Sequence, residues 1–324
     1  MTVSTHARRT RVHVTGAAST AVRPVLESQR RPARVLAVFP TGVYLEVRTE
    51  LEPAVIAVIT GGAVRLPNAV LLATPLPRVT VGDEASVGDR TIELGPMSLS
   101  VRRWWDPSPP LGRLDPARLA GAAELLRDPP GTGLAGNAAV DLLAHSCAKG
   151  WLLGVVTAAE RLVGLGPGLT PSGDDVLAGL LVALRHLGLA TGSERAQPER
   201  AGSERAGSER AGAERAGADQ AGAERAGADQ AGAERAVWLA DWLAATVTYD
   251  ARTRTTPLSA TLLHCAARGE ASPEVIAVLR GLAGHQPLEP ALRHLHRLGH
   301  TSGADLAQGI AIGVTAVLAL SGAR

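Results

Sequence analysis

The chain has 324 residues, 45% of them hydrophobic, enough for a buried core and for more than one domain. Its 33 basic and 31 acidic residues leave a formal net charge of +2, with no basic block and 2% aromatics to stack on bases, so nucleic acid is not an expected partner. Lys149 is the only lysine, which leaves arginine as the cation of any anion site.

Residues 1–33 read as a flexible N-terminal segment; Met1 to Arg11 is polar and basic, without the apolar stretch of a secretory signal. Short strands are predicted over 34–39, 43–47, 54–59, 69–73 and 91–101. They are rich in Val, Ile and Leu and separated by turn signals such as Pro40-Thr41-Gly42, Gly61-Gly62 and Gly88-Asp89. Five short strands within 34–105 predict a small β-barrel or sandwich. A proline-rich hinge, 106–114, closes that unit.

From 115 onward the period becomes helical, so the expected fold class is α+β: the β unit, then a mainly α-helical bundle over 115–324. Helices are predicted at 115–127, 137–150 and 151–163, and four to seven in all. Two apolar ones, 176–187 and 306–320, belong at the bundle centre. The apolar run Ile310 to Leu320 is too short to span a bilayer, and no membrane partner is expected. Cys147 and Cys265 lie far apart in apolar helical segments and read as buried thiols of a reducing compartment, which predicts a cytoplasmic location. Residues 193–237 consist of pentapeptides of the type Ser/Ala-Glu-Arg-Ala-Gly. Five matches neither helix nor strand periodicity, so this insertion is expected to be solvated, flexible and without a core.

The chemistry concentrates in Gly164-Leu165-Gly166-Pro167-Gly168-Leu169-Thr170-Pro171-Ser172-Gly173-Asp174-Asp175, a rigid loop leading into an apolar helix. It lacks the lysine of a Walker loop and the preceding strand of a dinucleotide fingerprint. The pattern S-G-x-D-x-x-x-G returns at Ser302-Gly303-Ala304-Asp305, after Thr301 and before the second apolar helix. A purely structural account is available: each S-x-x-D is a capping box. That account leaves the glycine after each serine unexplained, because glycine weakens a first helical turn unless something approaches its backbone.

As a site, Ser172, Asp174, Asp175, Ser302 and Asp305 are the candidate catalytic groups. Gly166, Gly168, Thr170, Gly173, Thr301 and Gly303 are candidates for contacting substrate. Helix-start N–H groups attract an anion, yet the aspartates repel it. Either a divalent cation such as Mg²⁺ bridges carboxylate and phosphate, or the aspartates accept hydrogen bonds from an amide or carbamoyl NH₂ while arginine holds the anionic end. Arg252 and Arg254, beside Thr255, Thr256 and Ser259, are the candidate arginines and hydroxyls; solvated surface arginines are the plainer reading. Gly179 with Ala183, and Gly309 with Gly313, are expected to let the two apolar helices pack closely. No metal-ligand set is predicted: His296 and His300 are four apart, but Gly299 interrupts and no H-E-x-x-H motif is present.

The glycine-loop string, together with Thr255-Thr256-Pro257-Leu258-Ser259 and Gly299-His300-Thr301-Ser302-Gly303-Ala304-Asp305, resembles the family of the AllH subunit of oxamate carbamoyltransferase, with the similarity expected to run from the β region to the C-terminus. The resemblance implies one subunit of a multi-subunit transferase of allantoin breakdown, which moves a carbamoyl group between oxalurate and phosphate and yields oxamate and carbamoyl phosphate. It further implies a carbamoyl group at the carboxylates, a phosphate at helix N–H groups and arginine, and other carbamoyltransferase subunits as partners. The alternative is a non-catalytic subunit that binds an anion or scaffolds the complex.

Overall fold

The computed structural model describes residues 12–127, 129–192 and 209–322, which fall into two compact units. One combines the chain up to Pro109 with Asp250–Pro273; the other combines Pro110–Tyr249 with Glu274 onward. The strands are β1 (Val12–Ser19), β2 (Arg31–Phe39), β3 (Gly42–Val47), β4 (Val55–Thr60), β5 (Ala69–Leu72), β6 (Glu84–Gly88), β7 (Thr91–Leu94) and β8 (Met97–Trp105). The helices are α1 (Arg23–Leu26), α2 (Pro116–Ala123), α3 (Ala138–Lys149), α4 (Leu152–Leu162), α5 (Ser172–Thr191), α6 (Glu209–Tyr249), α7 (Ala251–Arg254), α8 (Pro257–Ala267), α9 (Pro273–Leu282), α10 (Leu288–Leu295) and α11 (Ser302–Leu320). The class is mixed α+β. Among the described residues ten helices follow the barrel rather than four to seven, because Pro257, Pro273 and Pro287 divide what periodicity merges.

In the first unit the strands close into a barrel in the order β1-β5-β4-β3-β2-β6-β7-β8, so barrel rather than sandwich is the outcome. Strand alternation sends Val35, Val43, Leu45, Ile56, Val58, Ile92 and Leu99 into its interior. The unbroken apolar run of β4 has a second reason: Ala57 and Ile59 are buried on the other face with Ala69, under Tyr44, Leu71 and Trp105.

Three expectations need correction here. The barrel begins at Val12, not near residue 34: β1 pairs with β5 and, in parallel, with β8, while Val22, Val25 and Leu26 of the turn that follows enter the barrel core. Residues 1–11 of the expected flexible segment lie outside the described residues. The small side chains of β1 hide it from pattern reading, and they are needed, since a methyl group at Gly16 would stand 2.7 Å from the Leu71 carbonyl. The predicted strand 91–101 is a hairpin, β7 and β8, turned by Gly95 at φ 55° and Pro96. Segment 250–273, read from sequence as part of the helical bundle, packs with the barrel: the Thr261 hydroxyl accepts the Val55 N–H at 3.1 Å.

The second unit is built around α5 and α11, which lie side by side with their starts at the same end and are flanked by α3 and α6. By length and composition α11 could cross a membrane, yet 61% of its most apolar stretch is buried inside this unit, as in a core helix. The repeat segment differs from expectation over 209–237, where the backbone is helical and continues into the core part of α6. Ala233, Ala236, Leu239, Ala240, Leu243 and Val247 are buried there, and Ala236 and Ala233 approach Gly188 of α5 and Gly192 just after it. Alanine's helix preference and the small surface it presents to those glycines outweigh the glycine in each repeat. Residues 193–208 of the predicted flexible insertion lie outside the described residues.

Candidate active site

The glycine loop leaves α4 at Val163 and turns on Gly164, Gly166 and Gly168, at φ 75°, 120° and 95°, values that L side chains rarely adopt. Pro171 then starts α5, with its carbonyl accepting the N–H groups of Asp174 and Asp175 at 2.9 and 3.1 Å. Asp174 turns back to fasten the loop: its Oδ1 accepts the Gly164 N–H at 2.8 Å. The α5 N-cap is Pro171 and the α11 N-cap is Thr301, and neither makes a side-chain capping bond. Ser172 and Ser302 are therefore the first residues inside their helices, and the capping-box account fails for both.

The glycine after each serine does have a structural cause. A methyl group at Gly173 would fall on the carbonyl of Leu162, and one at Gly303 on the carbonyl of Leu295. Each helix start is thus pressed against the end of the preceding helix, α4 or α10. The deeper glycines act between the helices: Gly179 leaves room for the Leu306 carbonyl and Gly309 for the Val176 carbonyl.

This packing brings the two starts together. The Thr170 and Ser302 hydroxyls are 3.1 Å apart, and those of Ser172 and Thr301 are 3.4 Å apart. Behind the hydroxyls lie Asp175, 7% exposed, and Asp305, fully buried. Burial pushes the Asp175 carboxyl from its ordinary 3.8 up to about 8; hydrogen bonding to Ser302 and Thr170 opposes the rise, while the Asp305 and Asp174 carboxylates add to it. Both Asp175 and Asp305 keep one buried oxygen, Oδ2, without a hydrogen-bond partner. A buried carboxylate oxygen left unpaired carries a cost in stability.

A third segment joins them that the sequence reading passed over. The Gly133 N–H donates to Asp305 Oδ1 at 2.8 Å, and a methyl group at Gly133 would overlap the Ser172 hydroxyl. Three glycines within Gly131-Thr132-Gly133-Leu134-Ala135-Gly136 were the available signal.

The arginine and hydroxyl candidates belong to the other unit. Arg252 donates through Nε and Nη2 to Glu52 Oε1, at 2.8 and 2.5 Å, and through Nη1 to the Thr49 carbonyl at 3.1 Å. Its guanidinium is thereby committed to the loop between β3 and β4. Arg254 lies 3.8 Å from Asp250, and Thr256 caps α8 by accepting the Ser259 N–H at 3.1 Å, with Thr255 just before it. Among the described residues no group of three or more His, Cys, Asp or Glu side chains gathers as a metal cage. Cys147 and Cys265 are free and buried.

The family model of oxamate carbamoyltransferase subunit AllH matches residues 162–211 and 223–314. All three motif blocks lie inside these ranges, so the region from the glycine loop into α11 is AllH-like. The barrel lies outside the matched residues, a narrower extent than the resemblance suggested. No curated protein and no solved structure matches the chain.

Proposed function

We propose, taking the AllH match of residues 162–314 as the premise, that this protein is a subunit of a carbamoyltransferase whose active site includes the shared end of α5 and α11. The reaction is transfer of a carbamoyl group between oxalurate and phosphate, in a cytoplasmic purine-degrading pathway. A phosphate oxygen attacks the carbamoyl carbon, the bond from that carbon to the oxamate nitrogen breaks, and the nitrogen takes a proton. Oxamate and carbamoyl phosphate result. The hydroxyls of Thr170, Ser172, Thr301 and Ser302 supply donors held in place before the reaction, which is how an enzyme stabilises negative charge developing on the carbonyl and phosphoryl oxygens.

The observation that carries this reading is the pair of buried carboxylates, Asp175 and Asp305, each with an unpartnered oxygen, at corresponding positions of two helices inside the matched region. The test is carbamoyl phosphate formation from oxalurate and phosphate by the chain with its co-purified partner subunits, parent against Asp175→Ala. Loss of turnover in a folded variant is expected. Unchanged turnover sinks the assignment.

A second reading, a non-catalytic scaffolding subunit, is favoured by one observation: helix packing alone explains Gly173 and Gly303. It requires the Asp175→Ala complex to turn over normally, so the same assay decides between them.

A further inference from the structure

We propose that Asp175 and Asp305 together bind one Mg²⁺ through their Oδ2 atoms, and that this ion carries the phosphate of the substrate. The inference rests on the carbamoyltransferase reading for the identity of the phosphate, and on the geometry of the paired helix starts for the ion itself.

Both carboxylates are at least nine-tenths buried, and neither Oδ2 has a partner. The rest of their coordination differs: Asp305 Oδ1 accepts the Gly133 N–H, while hydrogen bonding to Asp175 involves the Ser302 and Thr170 hydroxyls. The two free oxygens are therefore what remains after the protein's own donors are used. No arginine or lysine is among the groups that act on Asp175, and neither aspartate forms an ion pair among the described residues. Ionised together beside a phosphate, the two buried carboxylates call for a positive charge, and none is among the groups that act on Asp175.

The donor chemistry selects the ion. The hydroxyls of Thr170, Ser172, Thr301 and Ser302, paired with one another at the two helix starts, offer oxygen beside the two aspartates. That set suits a hard cation and lacks the nitrogen and sulfur that zinc prefers. Among the described residues no three His, Cys, Asp or Glu side chains close into a cage. Mg²⁺ is the ion that uses one or two carboxylates and completes its shell with water and substrate phosphate. The anion problem at these helix starts then disappears, because the ion bridges the carboxylates and the phosphate that they would otherwise repel.

The test uses Mn²⁺ as a paramagnetic stand-in, titrated into the full chain and followed by EPR of the free ion, with Mg²⁺ as competitor and inorganic phosphate present or absent. One Mn²⁺ per chain is expected, displaced by Mg²⁺ and bound more tightly with phosphate. Asp175→Asn and Asp305→Asn should each weaken it about 10-fold or more, and Asp241→Asn, a surface partner of Arg185, should not. Circular dichroism checks that each variant is folded, and the two variants stand in for one another should one fail. Absence of stoichiometric binding, or binding undiminished in both variants, overturns the proposal. A complex that binds Mn²⁺ but transfers no carbamoyl group retains the ion site and refutes the proposed function. A complex stripped of metal that transfers at full rate refutes the ion and leaves the function standing.

Discussion

Gly179 and Gly309 occupy reciprocal positions: each leaves space for the carbonyl that lies three residues before the other, Leu306 for Gly179 and Val176 for Gly309. The relation places the same turn of α5 and α11 in contact from both sides. It follows that the alignment of Ser172 with Thr301 and of Thr170 with Ser302 depends on two absent methyl groups. Gly179→Ala and Gly309→Ala should each destabilise by about 1–3 kcal/mol, the usual cost of overpacking. Gly121→Ala, in an open helical position of α2, should be neutral or slightly stabilising. Thermal unfolding of the three variants checks this.

Asp175→Asn should make the chain more stable while abolishing transfer, since the buried carboxyl must take up a proton or carry a charge beside Asp305 and Asp174, and an amide of the same shape does neither. The sign with pH follows from linkage. The folded carboxyl keeps its proton to about pH 8, the unfolded one only to about 4. In buffer free of divalent cations the parent therefore loses stability as pH rises through that window, and the asparagine variant does not. The difference in melting temperature should widen from pH 5 to pH 8, reach about 2 °C or more, and level off above.

Gly133→Ala should damage the site more than the fold. The added methyl overlaps the Ser172 hydroxyl at the surface where the loop meets α5. A fall in carbamoyl phosphate formation of about 10-fold or more is expected, as for a displaced active-site group, with little change in melting temperature. A large drop in both would instead make this loop a structural element.

Arg252→Met should leave the KM for phosphate unchanged and lower stability by about 1 kcal/mol or less, because its partly exposed guanidinium holds Glu52 and the Thr49 carbonyl. A raised KM would return Arg252 to the anion-binding role read from sequence.

Both cysteines should resist thiol reagents in the native chain and react on unfolding. Burial pushes the Cys147 thiol up to about 12 and the Cys265 thiol well above its usual value, so neither carries a thiolate at neutral pH. Labelling followed by intact-mass measurement, with and without denaturant, tests this.

The elements legible in the sequence were those whose residues carry a period or a breaker: β3, β4 and β5 by their branched side chains, α5 and α11 by their apolar length, and the glycine loop by its composition. β1 was missed because Gly16, Ala17 and Ala18 are small for packing reasons that only the neighbouring strand reveals. The helical backbone over 209–237 escapes pattern reading because a five-residue period matches no helix, whereas alanine at the buried positions packs against α5 without any large side chain. At the site, the repeated S-G-x-D marks two helix starts that the fold brings together, and backbone packing accounts for Gly173 and Gly303, which the sequence reading left to ligand approach. Gly133 lies 172 residues from Asp305, and no local pattern connects them.

The two helix starts form a nearly symmetrical seat, and any substrate with different ends must be told which way to lie in it. Several differences break the symmetry: Thr170 and Pro171 before α5 stand where His300 and Thr301 precede α11. Asp174 on α5 corresponds to Ala304 on α11, and the Gly133 N–H serves only Asp305. An Ala304→Asp change would make the halves more alike, so that bound molecules would divide between two orientations and a share of them would face the wrong way for reaction.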